Sequence, residues 1–283
     1  MTSDPQRAPI ESVTIIGFGL IGASLALALK RRDPNVIVRA VDLPAIISRP
    51  ELADFADETA SMEDSSAYRA LLAASELTVL AGPVKVVERQ VLDVLKYANV
   101  VTDCGSTKRQ IDAAAQHSTL RAHFVPGHPM AGNTRSGYTA ATHDLFESKS
   151  WILCPEAASP EALALVRSVV SFVGAQPVEM SAQRHDAAVA LTSHLPKLLA
   201  GLLVSLCHEA GAEAARGPSF HSATRVAGGD GGIWSDILAS NADEVANVAA
   251  RLARDLSRIA QELQRGDTSG ALSVLEHARR LRD

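Results

Sequence analysis

Two short clusters, Thr102-Asp103-Cys104-Gly105-Ser106-Thr107-Lys108 and Pro126-Gly127-His128-Pro129-Met130-Ala131-Gly132, concentrate the chemistry available to this 283-residue chain. His128 stands between glycine and proline, a setting read as a loop that holds the ring still. An imidazole titrates near neutrality, which suits it to proton transfer. Ser106 offers a hydroxyl that donates or accepts, and Lys108 a fixed positive charge. An ordinary strand-to-helix turn with Ser106 or Thr107 as N-cap is the competing description of the first cluster. Farther along, Ser193-His194-Leu195-Pro196 opens an apolar helix, where a structural histidine would be unremarkable.

Catalytic groups of this kind need a scaffold, and residues 13 to 42 supply its clearest piece. The apolar run Val13-Thr14-Ile15-Ile16 leads into Gly17-Phe18-Gly19-Leu20-Ile21-Gly22, then the helical stretch Ala23 to Leu29, then Val36 to Val41 closed by Asp42. Strand, glycine turn, helix and second strand ending in an acid form a mononucleotide-binding unit. Gly17 makes the tight turn, Gly19 lets backbone approach a pyrophosphate, and Gly22 lets the helix lie close on the sheet. The helix N-terminus offers unpaired N–H groups to the phosphates. Asp42 lies 20 residues beyond Gly22, where a carboxylate accepts both ribose hydroxyls and repels a 2′-phosphate. NAD is therefore expected rather than NADP, with Arg39 nearby as the one feature that weakens the preference. The small residues of the Ser106 cluster would let the chain pass close to a nicotinamide ring.

Further apolar runs at Leu77–Ala81, Val100–Thr102, Phe124-Val125 and Trp151–Cys154, with Val178-Glu179-Met180 as a last strand, alternate with helical segments. This predicts an α/β Rossmann-type, doubly wound, mostly parallel sheet over residues 1–180. From 181 to 283 the pattern is helical. Leu191, Leu195, Leu198, Leu202 and Leu206 share one spacing, with Pro196 bending the helix or marking its first turn. Ile233 to Leu263 reads as one helix of about thirty residues, longer than the usual ~8–20. One of its faces is expected to pack outside its own domain, most simply in a homodimer, against the alternative of a helix within the monomer's core. Gly228 to Gly232 reads as a flexible connector.

A hydrophobic content of 47% supports a large core and two domains. A net charge of -5 argues against a nucleic-acid or anionic-membrane surface. The longest apolar run, Leu198 to Cys207, is half of the ~20 residues a membrane span needs, and the polar start, Met1 to Pro9, has no apolar core of a signal peptide. Three scattered cysteines, Cys104, Cys154 and Cys207, without C-x-x-C pairing, fit a reducing cytoplasm and give no sign of a structural metal.

The glycine turn, Asp103 to Lys108, Gly127 to Gly132, Ser193 to Pro196 and Thr224-Arg225-Val226-Ala227 together resemble, in order and spacing, the prephenate/arogenate dehydrogenases of tyrosine biosynthesis. The resemblance spans nearly the whole chain. It implies a Rossmann domain followed by an all-α substrate and dimerisation domain. The implied reaction is NAD-dependent oxidative decarboxylation of prephenate to 4-hydroxyphenylpyruvate. Hydride loss from C4 draws electrons from the departing ring carboxylate, so CO2 leaves and the ring becomes aromatic. On this resemblance His128 accepts the hydroxyl proton, Ser106 orients the hydroxyl, Arg225 holds the ring carboxylate, and His194 belongs to the pocket.

Two positions depart from the family. Lys197 stands where many prephenate-specific relatives have a second histidine. At i and i+3 from His194 it shares a helix face, free to salt-bridge a side-chain carboxylate, repel an amino group, or extend to solvent. Asn133-Thr134 stands where many relatives have an acid. Arogenate and 4-amino-4-deoxyprephenate are thus the substrate alternatives. A β-hydroxyacid or imine reductase, or a non-catalytic NAD sensor, are the alternatives of a different class; Gly127-His128-Pro129 argues against the first.

Overall fold

The computed structural model describes residues 7–133, 135, 137–228 and 231–282. Thr134 and the centre of the Gly228–Gly232 connector therefore lie outside the described residues, as does most of the polar start; Gly231 and Gly232 open a helix.

Six parallel strands form the main sheet: β1 (Ser12–Ile16), β2 (Ile37–Asp42), β3 (Glu58–Ser61), β4 (Leu77–Leu80), β5 (Val100–Asp103) and β6 (Phe124–Val125), in the order β3-β2-β1-β4-β5-β6. Helices α1 (Leu20–Arg32), α2 (Pro44–Ile47), α3 (Ser65–Ala73), α4 (Val84–Val94) and α5 (Arg109–Ala115) connect them. The strand order reverses between β1 and β4, which opens a ligand crevice at their carboxyl ends. Val13, Ile15, Val38, Ala40, Val79 and Val101 are essentially inaccessible, because both faces of the central strands are covered by helices.

The glycine turn is fixed by contacts within the protein. Gly17 has φ of +94°, and a Cβ there would come within 2.7 Å of the Gly82 nitrogen. A Cβ on Gly22 would lie 2.2 Å from the Gly17 carbonyl oxygen. Only glycine lets α1 start this close to the strand.

The sheet differs from the expectation in gaining edge strand β3 and in losing its last two strands. Trp151–Cys154 and Val178–Met180 do not extend the parallel sheet. They supply β8 (Ser150–Leu153) and β9 (Gln176–Glu179) of a separate three-stranded sheet begun by β7 (Gly127–Pro129), with β7 antiparallel to β8 and β8 parallel to β9. His128 is thus on a strand, paired with Ile152, and not in a loop. Helix α6 (Pro160–Phe172) links β8 to β9.

Beyond Ser181 the chain is helical. Helix α7 (Ala182–Val189) runs through a π-turn, Ala190–His194, into α8 (Leu195–Glu209). Pro196 occupies the first turn of α8. A proline cannot donate to the ring of hydrogen bonds and crowds the carbonyl four residues back, so the helix widens by one residue just before it. Then follow α9 (Pro218–Thr224), a single turn Arg225–Ala227, α10 (Gly231–Ser240), α11 (Ala242–Gln264) and α12 (Ser269–Arg282).

The thirty-residue helix is therefore two, broken at Asn241. Its buried side-chain amide donates to the Asp186 carbonyl (2.8 Å) and accepts from Arg109 (3.1 Å), while the Ser240 hydroxyl pairs with Thr107 (2.8 Å). These partners turn the chain where apolar spacing alone would continue it. In this single chain Leu202, Leu203, Leu206, Leu256, Leu263, Leu272 and Leu275 are exposed.

Gly22→Ala is expected to cost about 1–3 kcal/mol of stability through forced overpacking, read as a lowered Tm. Gly19→Ala, whose Cβ meets no protein atom within 4 Å, should leave Tm within a degree or two and weaken dinucleotide binding instead.

Candidate active site

At the carboxyl end of β5 the chain turns through Asp103 to Lys108, and the end of β6 delivers it to β7. Asp103 joins the two. Its carboxylate accepts the N–H of Gly105 (2.8 Å), the N–H of Gly127 (3.0 Å) and the ammonium of Lys108, which also donates to the Gly127 carbonyl (2.6 Å). Asp103 and Lys108 are fully buried. Gly127, the residue preceding His128, is therefore held at both its N–H and its carbonyl. A Cβ on Gly127 would lie 2.8 Å from the Asp103 carbonyl oxygen, so glycine precedes the histidine for close approach. Lys108 is thus not the ligand-facing charge that the sequence suggested: its charge is spent inside the protein.

Neither Ser106 nor Thr107 caps α5. The helix begins after Lys108 with no side-chain cap of its own. Its end is capped from the helical half, where the Asp186 carboxylate accepts the backbone N–H of Lys108 (2.7 Å) and of Arg109 (3.0 Å). Arg109 completes the junction through Asp243 (2.5 Å). Thr107 and Ser106 are consequently free for other partners, and Ser106 faces the cavity.

That cavity, about 240 Å³, is lined by Ser106, His128, Pro129, Met130, Ala131, Ser193, His194, Trp234 and Ile237. The π-turn before Pro196 presents Ser193 and His194 to it. His128 and His194, far apart in sequence, thus share one pocket with Ser106. Burial, and after it the nearby His185, Lys108 and His194, hold the His128 pKa well below its ordinary value. Burial likewise lowers His194 to about 4, although Asp186 opposes it. Both rings are neutral at pH 7, the state a proton acceptor needs. His194 Nδ1 lies 3.3 Å from the Asn241 amide nitrogen. An amide nitrogen donates, which leaves the His194 proton on Nε2.

Sequence reasoning missed His185, Asp186, Trp234 and Asn241. His185 Nε2 is 2.8 Å from His128 Nδ1, and His185 Nδ1 is 2.8 Å from the Asp186 carboxylate. Trp234 stands edge-on to His194, ring centroids 6.0 Å apart. An available signal was Ser181 as an N-cap: the helix it starts contains the adjacent His-Asp pair, upstream of the leucine spacing that begins at Leu191. Lys197 reaches across the Trp234 ring (5.0 Å) and donates to the carbonyls of Ala227 and Gly228. Arg225, on the turn that Lys197 pins, is exposed and is not among the residues lining the cavity.

The dinucleotide side fits its ligand on protein geometry alone. Gly19 at the N-terminus of α1 makes no side-chain cap, so first-turn N–H groups remain for phosphate oxygens. Asp42, half-buried at the end of β2, accepts the N–H of Phe18 (2.5 Å) and of Leu43 (2.6 Å), which fixes its carboxylate beside the turn. The Phe18 side chain is buried against Phe55, and Leu20 and Ile21 carry the turn into α1. Arg39 is buried, bonded to Glu58 (3.1 Å) and Ser75 (3.0 Å), so it is committed elsewhere and is no candidate for a 2′-phosphate.

A doubly wound sheet with this turn, facing a histidine-lined pocket closed by helices, defines a dinucleotide-dependent oxidoreductase. Residues 25–179 match the family model for the nucleotide-binding domain of prephenate dehydrogenase, and residues 181–277 that for its dimerization domain; the chain belongs to the prephenate dehydrogenase family. It is similar to a cyclohexadienyl dehydrogenase of Zymomonas mobilis, 30% identical over 95% of this chain and 94% of that protein. The crystal structure of prephenate dehydrogenase from Aquifex aeolicus, in complex with hydroxyphenyl propionate and NAD+, aligns with a TM-score of 0.86 at 25% identity, covering 96% of this chain and 97% of that one. Synechocystis arogenate dehydrogenase aligns with a TM-score of 0.80, also at 25% identity, covering 96% and 99%.

The lowered histidines have two measurable consequences. With a neutral His128 as proton acceptor, the acid limb of kcat/KM should fall below the ordinary imidazole value of 6.5, with the rate flat from there to pH 8. Because the unfolded chain binds protons on these histidines before the folded one does, stability should decline as pH falls from 6.5 towards about 4. Denaturant unfolding across that window checks the second.

Proposed function

We propose that the protein catalyses NAD-dependent oxidative decarboxylation of prephenate to 4-hydroxyphenylpyruvate. The observation that carries this is the convergence of Ser106, from the turn after β5, and His128, on β7, on one cavity. NAD+, when bound, accepts the hydride from C4. Everything else falls to the chain. His128 takes the hydroxyl proton, the O–H bond breaking as an N–H bond forms. Ser106 holds that oxygen in line, and His194 and Trp234 wall the ring. Loss of the hydride and the proton leaves C4 as a carbonyl; the ring carboxylate departs as CO2, its electron pair completes the aromatic ring, and the C4 oxygen, now a phenolate, takes the proton back from His128. Arg225 is the cation for that carboxylate, which requires the turn at 225–227 to bring it inward from its exposed position.

Lys197 favours prephenate among the related substrates. An ammonium over Trp234, whose ring lines the pocket, would attract the pyruvyl carboxylate of prephenate and repel the α-ammonium of arogenate. Asp42, with Arg39 engaged elsewhere, favours NAD over NADP.

The protein works as a homodimer, on this reading, with the domain boundary at 180/181. By length and apolar content Ala182–Glu209 could cross a bilayer. Its buried His185, Asp186 and His194 and the exposed leucines of α8, α11 and α12 fit a helical interface between two copies better. The three free thiols suit a reducing cytoplasm.

Purified protein with NAD+ should turn over prephenate with a kcat/KM at least tenfold above arogenate; inactivity on prephenate, arogenate and 4-amino-4-deoxyprephenate alike overturns the assignment. His128→Asn should lower kcat by ~10²–10⁴ with NAD+ affinity unchanged, as for loss of a general base. Arg225→Ala should act mainly on KM for prephenate.

A further inference from the structure

The geometry points to His185 and Asp186 as the positioning pair that fixes which nitrogen of His128 is the base. The inference rests on the reading of His128 as proton acceptor and goes beyond it by assigning how its tautomer is set.

The chain of hydrogen bonds has a direction. Asp186 is fully buried. Burial alone would raise its pKa, but hydrogen bonds from His185 and from the backbone of Arg109 and Lys108 outweigh it and hold the carboxyl below its ordinary value. An ionised carboxylate only accepts, so the His185 proton that it faces must reside on Nδ1. A neutral imidazole has one N–H, and on His185 the carboxylate claims it at Nδ1. His185 Nε2 is then a bare acceptor, and its partner at 2.8 Å, His128 Nδ1, must be the donor. His128 keeps its proton on Nδ1, and its Nε2 lone pair is left for the cavity, where the substrate hydroxyl arrives. The opposite tautomer of His128 would set two lone pairs against each other and turn an N–H towards the hydroxyl.

Other charged and titratable groups around His128 do not compete for this role. Lys108 and Asp103, from the β5–α5 turn, satisfy each other and the Gly127 peptide. His194, from the π-turn, is bonded to Asn241. After proton transfer the His128 imidazolium donates from Nδ1 to His185, and Asp186, one ring away, supplies the offsetting negative charge. Asp186 is also held rigidly, since it caps α5, and its backbone carbonyl accepts from Asn241. The two rings meet at 71° with centroids 5.0 Å apart, so their mutual orientation is set by the two hydrogen bonds and not by stacking.

Nitrogen-15 NMR of histidine-labelled holoenzyme at pH 8, with resonances assigned by single-histidine variants, tests this without any substrate. The expected result is a pyridine-type Nε2 and a pyrrole-type Nδ1 on His128, exchanged in Asp186→Asn, where the amide donates to His185 and inverts the chain. Asp186→Asn should lower kcat by ~10²–10⁴ with KM for prephenate changed less than threefold, the behaviour of a triad whose histidine is in the wrong tautomer. His185→Gln, which keeps an acceptor near the Nε2 position, should retain kcat within about tenfold, and His185→Leu should lose ~10² or more. A pyridine-type Nδ1 on wild-type His128, or Asp186→Asn folded with unchanged tautomer and kcat, overturns the inference. Inactivity on every cyclohexadienyl acid alongside the expected spectrum would overturn the proposed reaction and leave the tautomer assignment standing.

Discussion

A single buried carboxylate, that of Asp186, holds the two halves of this molecule in register. It takes the place of an N-cap for α5, accepting two backbone N–H groups from the nucleotide-binding half, and it bonds the ring of its own neighbour, His185. Burying an isolated charge is costly unless several donors converge on it, and here they converge from both sides of the junction. Arg109, Asn241 and the Thr107–Ser240 pair repeat the same logic around it. The cavity lies close by: His128, which lines it, is bonded to His185, and His194, which also lines it, is bonded to Asn241.

On the nucleotide side the seam continues through Asp103 and Lys108 to the peptide before His128. The histidine is thus fixed by its backbone from one domain and by its ring from the other. Such double fixing suits a group that must meet a substrate oxygen within a few tenths of an ångström, because small misplacements of a catalytic group are expensive in rate. It also explains why Lys108, a residue whose charge looks available, has none to offer a ligand.

Much of the frame was legible because its causes are local. Val13–Ile16, Leu77–Leu80 and Val100–Val101 lie in strands covered on both faces, which forces apolar runs, and Gly17 and Gly22 answer to backbone contacts only glycine permits. Edge strand β3, Glu58–Ser61, is largely exposed and leaves no such run. The three residues of β7 are too few for alternation, so His128 looked like part of a loop. The break at Asn241 is invisible to periodicity, since Ile237 and Val245 keep helical spacing across it while hydrogen bonds to Asp186 and Arg109 decide the turn. His185 and Asp186 escaped notice for the same reason. Their meaning comes from partners 57 and 78 residues away, and a single sequence records the residues without the pairing. The family resemblance supplied Arg225 and the roles of Ser106 and His194; geometry adds why those two meet His128 and leaves Arg225 outside.

The central claim is that His128 presents a bare Nε2 to the oxygen at the carbon that gives up its hydride. The crystal structure of the protein with NAD+ and the aromatic product 4-hydroxyphenylpyruvate measures this most directly. The account predicts the phenolic oxygen within ~2.6–3.2 Å of His128 Nε2 and in reach of the Ser106 hydroxyl, with the ring carbon bearing it stacked on the nicotinamide. A product bound productively against the nicotinamide, with that oxygen held by some other group and His128 facing away, would contradict it.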